Sequence, residues 1–242
     1  MRRCPVCPAS PKGTNALFVL LCLAAWCVVA EGTAWGGTIR GTVRFTGAAF
    51  EQKKLPVTVD HSVCGKEKDA QDIVLSPENG IRNVVVSLHP PPPGAKGPVA
   101  LPIVQLDQEQ CVFVPRVVIV PAGGTVEFLN ADRLLHNLHS DSKGNPIFNR
   151  TQPRGRTIPI VLKEPEIIRV DCDLHPWMRA WVVVADHPFS AVTDDQGEFM
   201  LDHVPPGRYT LRLWQESLGT VTKEVTVREE ASTSVTVEML RK

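Results

Sequence analysis

Apolar and polar residues alternate with a period of two through much of the chain. The pattern runs over Thr38–Phe45, Val112–Val120, Thr125–Leu129, Ile167–Cys172, Ala180–Ala185, Tyr209–Trp214 and Ser234–Leu240. That period puts every second side chain on one face of an extended segment, so each run predicts a half-buried strand. Windows with a helical period are nearly absent. Turn signals separate the runs: Pro77-Glu78-Asn79-Gly80, Pro121-Ala122-Gly123-Gly124, Asp194-Asp195-Gln196-Gly197 and Pro205-Pro206-Gly207. The prolines Pro90 to Pro93 leave little room for ladder hydrogen bonds and predict a stiff connector. The expectation is an all-β protein whose strands fall into blocks over 35–98, 99–186 and 187–242.

Residues 1–34 are set aside from the fold. Arg2, Arg3 and Lys12 precede an apolar run from Ala16 to Ala30 and the small residues Gly32-Thr33-Ala34, the order of a secretory signal. At about 15 residues the run is shorter than the roughly 20 that span a bilayer, and no later span appears. The expectation is an exported chain, periplasmic or extracellular, with an uncleaved N-terminal anchor as the alternative. Composition adds little about partners: 26 basic residues balance 26 acidic ones, which argues against a nucleic-acid groove or a polybasic membrane patch. A content of 43% hydrophobic and 21% charged residues argues against disorder. Of seven cysteines, Cys4, Cys7, Cys22 and Cys27 lie in the signal segment, leaving Cys64, Cys111 and Cys172. An odd number in an oxidising compartment implies that one of them is not paired internally.

The chemistry gathers in the middle block. Ile168, Val170 and Cys172 share one strand face, and His175 and Met178 follow Cys172 at intervals of three, so a turn there aims a thiolate, an imidazole and a thioether at one point. Leu135-His136-Asn137-Leu138-His139 supplies imidazole from upstream, after the polar turn Asn130-Ala131-Asp132. Two histidines, a cysteine and a distant methionine form the ligand set of a blue-copper site. Zinc takes the same cysteine and histidines but wants a fourth strong ligand or an open water position, and a thioether provides neither.

Val117 to Asn130, then His136-Asn137-Leu138-His139, then Cys172-Asp173-Leu174-His175-Pro176-Trp177-Met178, resembles a cupredoxin, with a ligand loop of the plastocyanin and amicyanin kind. The resemblance implies a Greek-key β-sandwich holding one copper, cycling between Cu(I) and Cu(II). It implies His136, Cys172 and His175 as equatorial ligands and Met178 as the long axial one. Asn137 would tie the two ligand loops together and donate a hydrogen bond toward the sulfur. Leu174 stands where that kind of loop has proline. His175 is expected to reach the surface through an apolar rim that includes Trp177 and to serve as the electron port. With Cys172 so occupied, Cys64 and Cys111 remain either as a disulfide joining the first block to the second or as two buried thiols.

Thr193 to Leu201 and Val204 to Leu211 resemble a carboxypeptidase regulatory-like β-sandwich, and Gly37 to Val43 is similar to its first strand. The two ends of the chain therefore form either one sandwich around the middle block or two. Trp214 is expected to pack or cover surface, with a sugar platform as the alternative. The functional expectation is an electron carrier, not an enzyme, working with an unidentified redox protein. Arg150, Arg154 and Arg156 are either a solvated face or a dock for an acidic partner. The competing class is an envelope module that contacts carbohydrate or stores copper.

Overall fold

A computed structural model describes residues 36–48, 51–95, 97 and 101–241. The expected signal segment and its four cysteines lie outside the described residues. The fold is all-β: among the described residues the only helix is His61–Cys64, and none is long and apolar enough to cross a membrane.

The middle of the chain forms a two-sheet sandwich. One sheet orders its strands as Asn149–Gln152, His136–Asp141, Glu166–Asp171, Arg179–Ala185 and Val117–Pro121. The facing sheet runs Ile158–Val161, Thr125–Phe128, Ile103–Glu109 and Val112–Val114. Leu106, Val126, Phe128, Leu138, Ile168, Val170 and Val182 fill the space between them. The run expected as a single strand from Val112 to Val120 divides between the two sheets. Pro115 has no N–H to continue the ladder, and the chain changes sheets at Pro115-Arg116.

A second sandwich is built from both ends of the described chain. Strand Gly37–Phe45 lies between Glu198–Val204, to which it is antiparallel, and Ser232–Met239, to which it is parallel. The opposing sheet orders Ser190–Val192, Val85–His89, Gly207–Gln215 and Gly219–Val227. Ile39, Val43, Ile81, Leu88, Leu211 and Leu213 are fully buried in its core. At Gly41 a Cβ would fall 2.5 Å from the ring of Phe199 and 2.8 Å from Val235, so the glycine admits the aromatic side chain. The chain visits the other core over residues 54–69, through Val57 and Cys64, and leaves this sandwich again after Val85–His89 to rejoin it at Ser190–Val192.

The two sandwiches meet through Val85, Val117 and Val183, flanked by Trp181 and Trp214, whose rings make an edge contact at 5.0 Å. Trp214 therefore packs between sheets. Beside this seam, Arg116 Nε and Nη2 donate to Glu216 Oε1 and Oε2 at 2.6 and 3.0 Å.

The turn after strand His136–Asp141 folds around one carboxylate. Burial alone would raise the pKa of Glu166, but donors from Lys143 N, Ser142 Oγ, Asn145 Nδ2 and Gly144 N outweigh it and hold the value at about 2. A depressed folded-state pKa contributes stability above the unfolded value, lost as pH falls through the folded one. Urea midpoints measured between pH 4.5 and about 2 should therefore decline. Glu166→Gln should be less stable than the parent at neutral pH and should lose this part of the decline. An unchanged acid limb would remove Glu166 as its source.

Candidate metal centre

Cys172 follows directly on strand Glu166–Asp171 and keeps the inward parity of Ile168 and Val170; all three are buried. The next residues close a tight turn: His175 N donates to Cys172 O at 3.3 Å, and Met178 N to His175 O at 2.8 Å. His136 opens the neighbouring strand, His136–Asp141. The turn and the strand bring three donor atoms together. His175 Nδ1 lies 3.5 Å from Cys172 Sγ, His136 Nδ1 lies 4.0 Å from the same sulfur, and the two Nδ1 atoms are 3.0 Å apart. All three residues are buried. Met178 is buried in the same core cluster, beside Trp177 in the sequence.

Asn137 ties the His136 strand to the Cys172 turn. Its backbone N–H donates to Cys172 Sγ at 3.3 Å, while its side-chain Oδ1 accepts from Asp173 N at 3.1 Å. The sulfur contact therefore comes from the Asn137 backbone, with the side chain fixing the loop. His139 stays outside the cluster, half exposed, with Nδ1 2.9 Å from Asp173 Oδ1. Arg150, Arg154 and Arg156 are exposed.

Two carboxylates complete the arrangement. His136 Nε2 lies 2.8 Å from Asp132 Oδ2, and His175 Nε2 lies 3.0 Å from Asp60 Oδ2. Where an ionised carboxylate accepts from Nε2–H, the Nδ1 of the same ring is left with a lone pair facing inward. Two nitrogen lone pairs and a sulfur facing one another in a buried space repel unless a proton or a cation lies between them. With soft sulfur and two imidazoles, the donor set fits copper. Burial pushes the Cys172 thiol up despite N–H contacts from Asn137, Leu174 and His175. Burial also lowers His136, against the pull of Asp132. A bound cation reverses the penalty on the thiolate and takes the lone pair of a neutral imidazole.

Cys64 and Cys111 are joined by a disulfide. It fixes the short helix His61–Cys64 and the preceding Asp60 over the ligand turn. The expected exposure of His175 is thereby corrected: its side chain is 0% exposed, closed off by Asp60, while Trp177 meets it edge-on at 5.3 Å. Trp177 Nε1 donates to Cys111 O at 3.0 Å, which draws that ring inward. Sequence reasoning missed both aspartates. Asp132 had a local signal, standing four residues before His136 in a polar turn. Asp60 had none, being 115 residues from His175.

The family model of the carboxypeptidase regulatory-like domain matches residues 172–240, beginning at Cys172. Comparison with curated proteins returns no match. Among solved structures, the copper-containing nitrite reductase NirK from Thermus scotoductus SA-01 is 27% identical, with a TM-score of 0.34, over 41% of this chain and 26% of the reductase. The chain thus spans about a quarter of that enzyme's length. A purple cupredoxin from Nitrosopumilus maritimus is 23% identical, TM-score 0.30, over 34% of this chain and 99% of its own. A reduced Cu(I) form of an amicyanin variant is 21% identical, TM-score 0.33, over 41% and 98%.

Proposed function

We propose that this is an exported mononuclear copper protein that carries one electron between redox partners. The convergence of Cys172 Sγ with the Nδ1 atoms of His136 and His175 is the observation that supports it. Cys172, His136 and His175 would hold copper, with the Met178 thioether as a weaker fourth donor; the bound metal would supply a one-electron couple. The protein's part is to keep the donors in one arrangement for both oxidation states. The ladders on either side of the ligand segments do this, together with Asn137 bridging them. In this reading residues 99–186 are the electron-carrying domain, and residues 187–242 complete a regulatory-like sandwich with strands drawn from residues 35–98. The sandwich is accessory, and the chain by itself is no enzyme. The partner is a redox protein.

One observation favours a second reading, copper storage. His175 has no solvent-facing edge, which a fast outer-sphere port would use. Adding Cu(II) to the chain without residues 1–34 tests both. The expected result is one copper per chain, an intense visible thiolate-to-copper band and the narrow copper hyperfine splitting of a blue site. Rapid oxidation of the reduced form by a small inorganic oxidant supports the carrier, and slow oxidation supports storage. Stoichiometric copper without colour would overturn the blue-site assignment.

A further inference from the structure

We infer that Asp60 and Asp132 are positioning residues, a pair of carboxylate clamps that fix both metal-facing histidines and enrich their donor strength toward the oxidised metal. The inference rests on the copper reading above. Each clamp uses the outer nitrogen of one ring, at 3.0 Å for Asp60 and 2.8 Å for Asp132, leaving both Nδ1 atoms turned toward Cys172.

The clamps are held by different means. Asp132 is buried, and its carboxylate also accepts Gln110 N at 2.7 Å and Cys111 N at 2.8 Å. Asp60 is half exposed, yet its backbone is fixed: its carbonyl accepts from Val63 N at 3.0 Å and Cys64 N at 2.9 Å. The disulfide then anchors Cys64 to Cys111, the residue whose N–H binds the other clamp. A single cross-link thus connects the supports of both carboxylates, one reaching His175 from the N-terminal segment and the other reaching His136 from a turn of the metal-holding sandwich.

A carboxylate accepting Nε2–H makes the opposite nitrogen more basic and adds negative charge near the site. Both effects favour Cu(II) over Cu(I), so the clamps should lower the reduction potential. Loss of an outer partner typically weakens metal binding by about 10–100-fold. With Cu(I) affinity unchanged, each tenfold loss for Cu(II) raises a one-electron potential by about 59 mV.

The test uses Asp60→Asn, Asp60→Ala and Asp60→Glu, with Asp132→Asn alongside. Asp60 is the decisive site because its side chain is half exposed and Asp60→Asn, the variant that carries the test, suits the left-handed backbone there (φ 53°). In the metal-free parent, nitrogen-15 correlation spectra of the imidazoles should show Nε2–H on both rings, with the His175 proton shielded from exchange. Asp60→Ala should lose that shielding at His175 alone. After copper loading, Asp60→Asn keeps an acceptor but no charge and should raise the potential by at least one tenfold step. Asp60→Glu should recover part of the loss. An Asp60→Asn potential equal to the parent's, or a metal-free His175 protonated at Nδ1 with Nε2 bare, would overturn the clamp. A parent that shows both Nε2 protons yet forms no blue site would support the clamps as imidazole-orienting contacts and overturn the copper reading instead.

Discussion

Glu216→Ala is expected to destabilise the protein by about 3–5 kcal/mol, because it strands the Arg116 guanidinium in a buried position. Both side chains of the pair are only 7% exposed. Among the polar contacts of Arg116, the forked contact to Glu216 is the close one, and what remains is Arg179 O at 3.3 Å. A backbone carbonyl does not neutralise a charge out of water. Replacing the pair together, as Arg116→Met with Glu216→Leu, removes both ions and should cost much less than the single change. Guanidinium unfolding of the single and double variants checks this. A single-variant cost under about 1 kcal/mol, typical of exposed pairs, would mean that solvent reaches the seam. Since Arg116 precedes strand Val117–Pro121 and Glu216 follows strand Gly207–Gln215, the pair ties one sandwich to the other.

Cys172→Ser is expected to abolish the visible copper band completely while leaving the β fold in place. Serine is close in size to cysteine, so the core around Ile168, Val170 and Met178 should retain its packing. The buried hydroxyl should cost about 1–3 kcal/mol of stability. Its oxygen is a poor substitute for a soft thiolate donor, and no ligand-to-metal transition of the same energy remains. Absorption and circular dichroism on the same sample separate loss of site from loss of fold. A band that persists in Cys172→Ser would assign the sulfur contact elsewhere and remove the blue-copper reading.

The strands were legible because burial follows their alternation: in Glu198–Val204 the residues Phe199 and Leu201 are buried, while Met200 between them is exposed. The inward placement of Cys172 was legible for a related reason, since the parity of Ile168 and Val170 continues to it. The division at Pro115 was harder to see, because apolar residues continue on both sides and only the missing N–H marks the change of sheet. The covered state of His175 was not legible at all. The loop around it reads as presenting an exposed imidazole, whereas what buries the ring comes from Asp60 on a segment brought there by the disulfide. The segment containing residues 54–69 has no periodicity to show that Val57 and Cys64 pack into the core around Cys172 while Ile39 and Val43 pack into the other. Long-range closure of this kind is absent from any local window.

Because strand Gly37–Phe45 has both of its sheet neighbours near the far end of the chain, it leaves the ribosome long before either one exists. The whole of the other sandwich is synthesised in the interval. An alternating apolar strand waiting unpaired is a template for edge-to-edge association with other nascent chains. Arg40 and Arg44, both exposed on its outer face, place positive charge at that vulnerable edge. Their value should therefore appear in the yield of protein recovered during biogenesis, by way of aggregation avoided, more than in the stability of the finished fold.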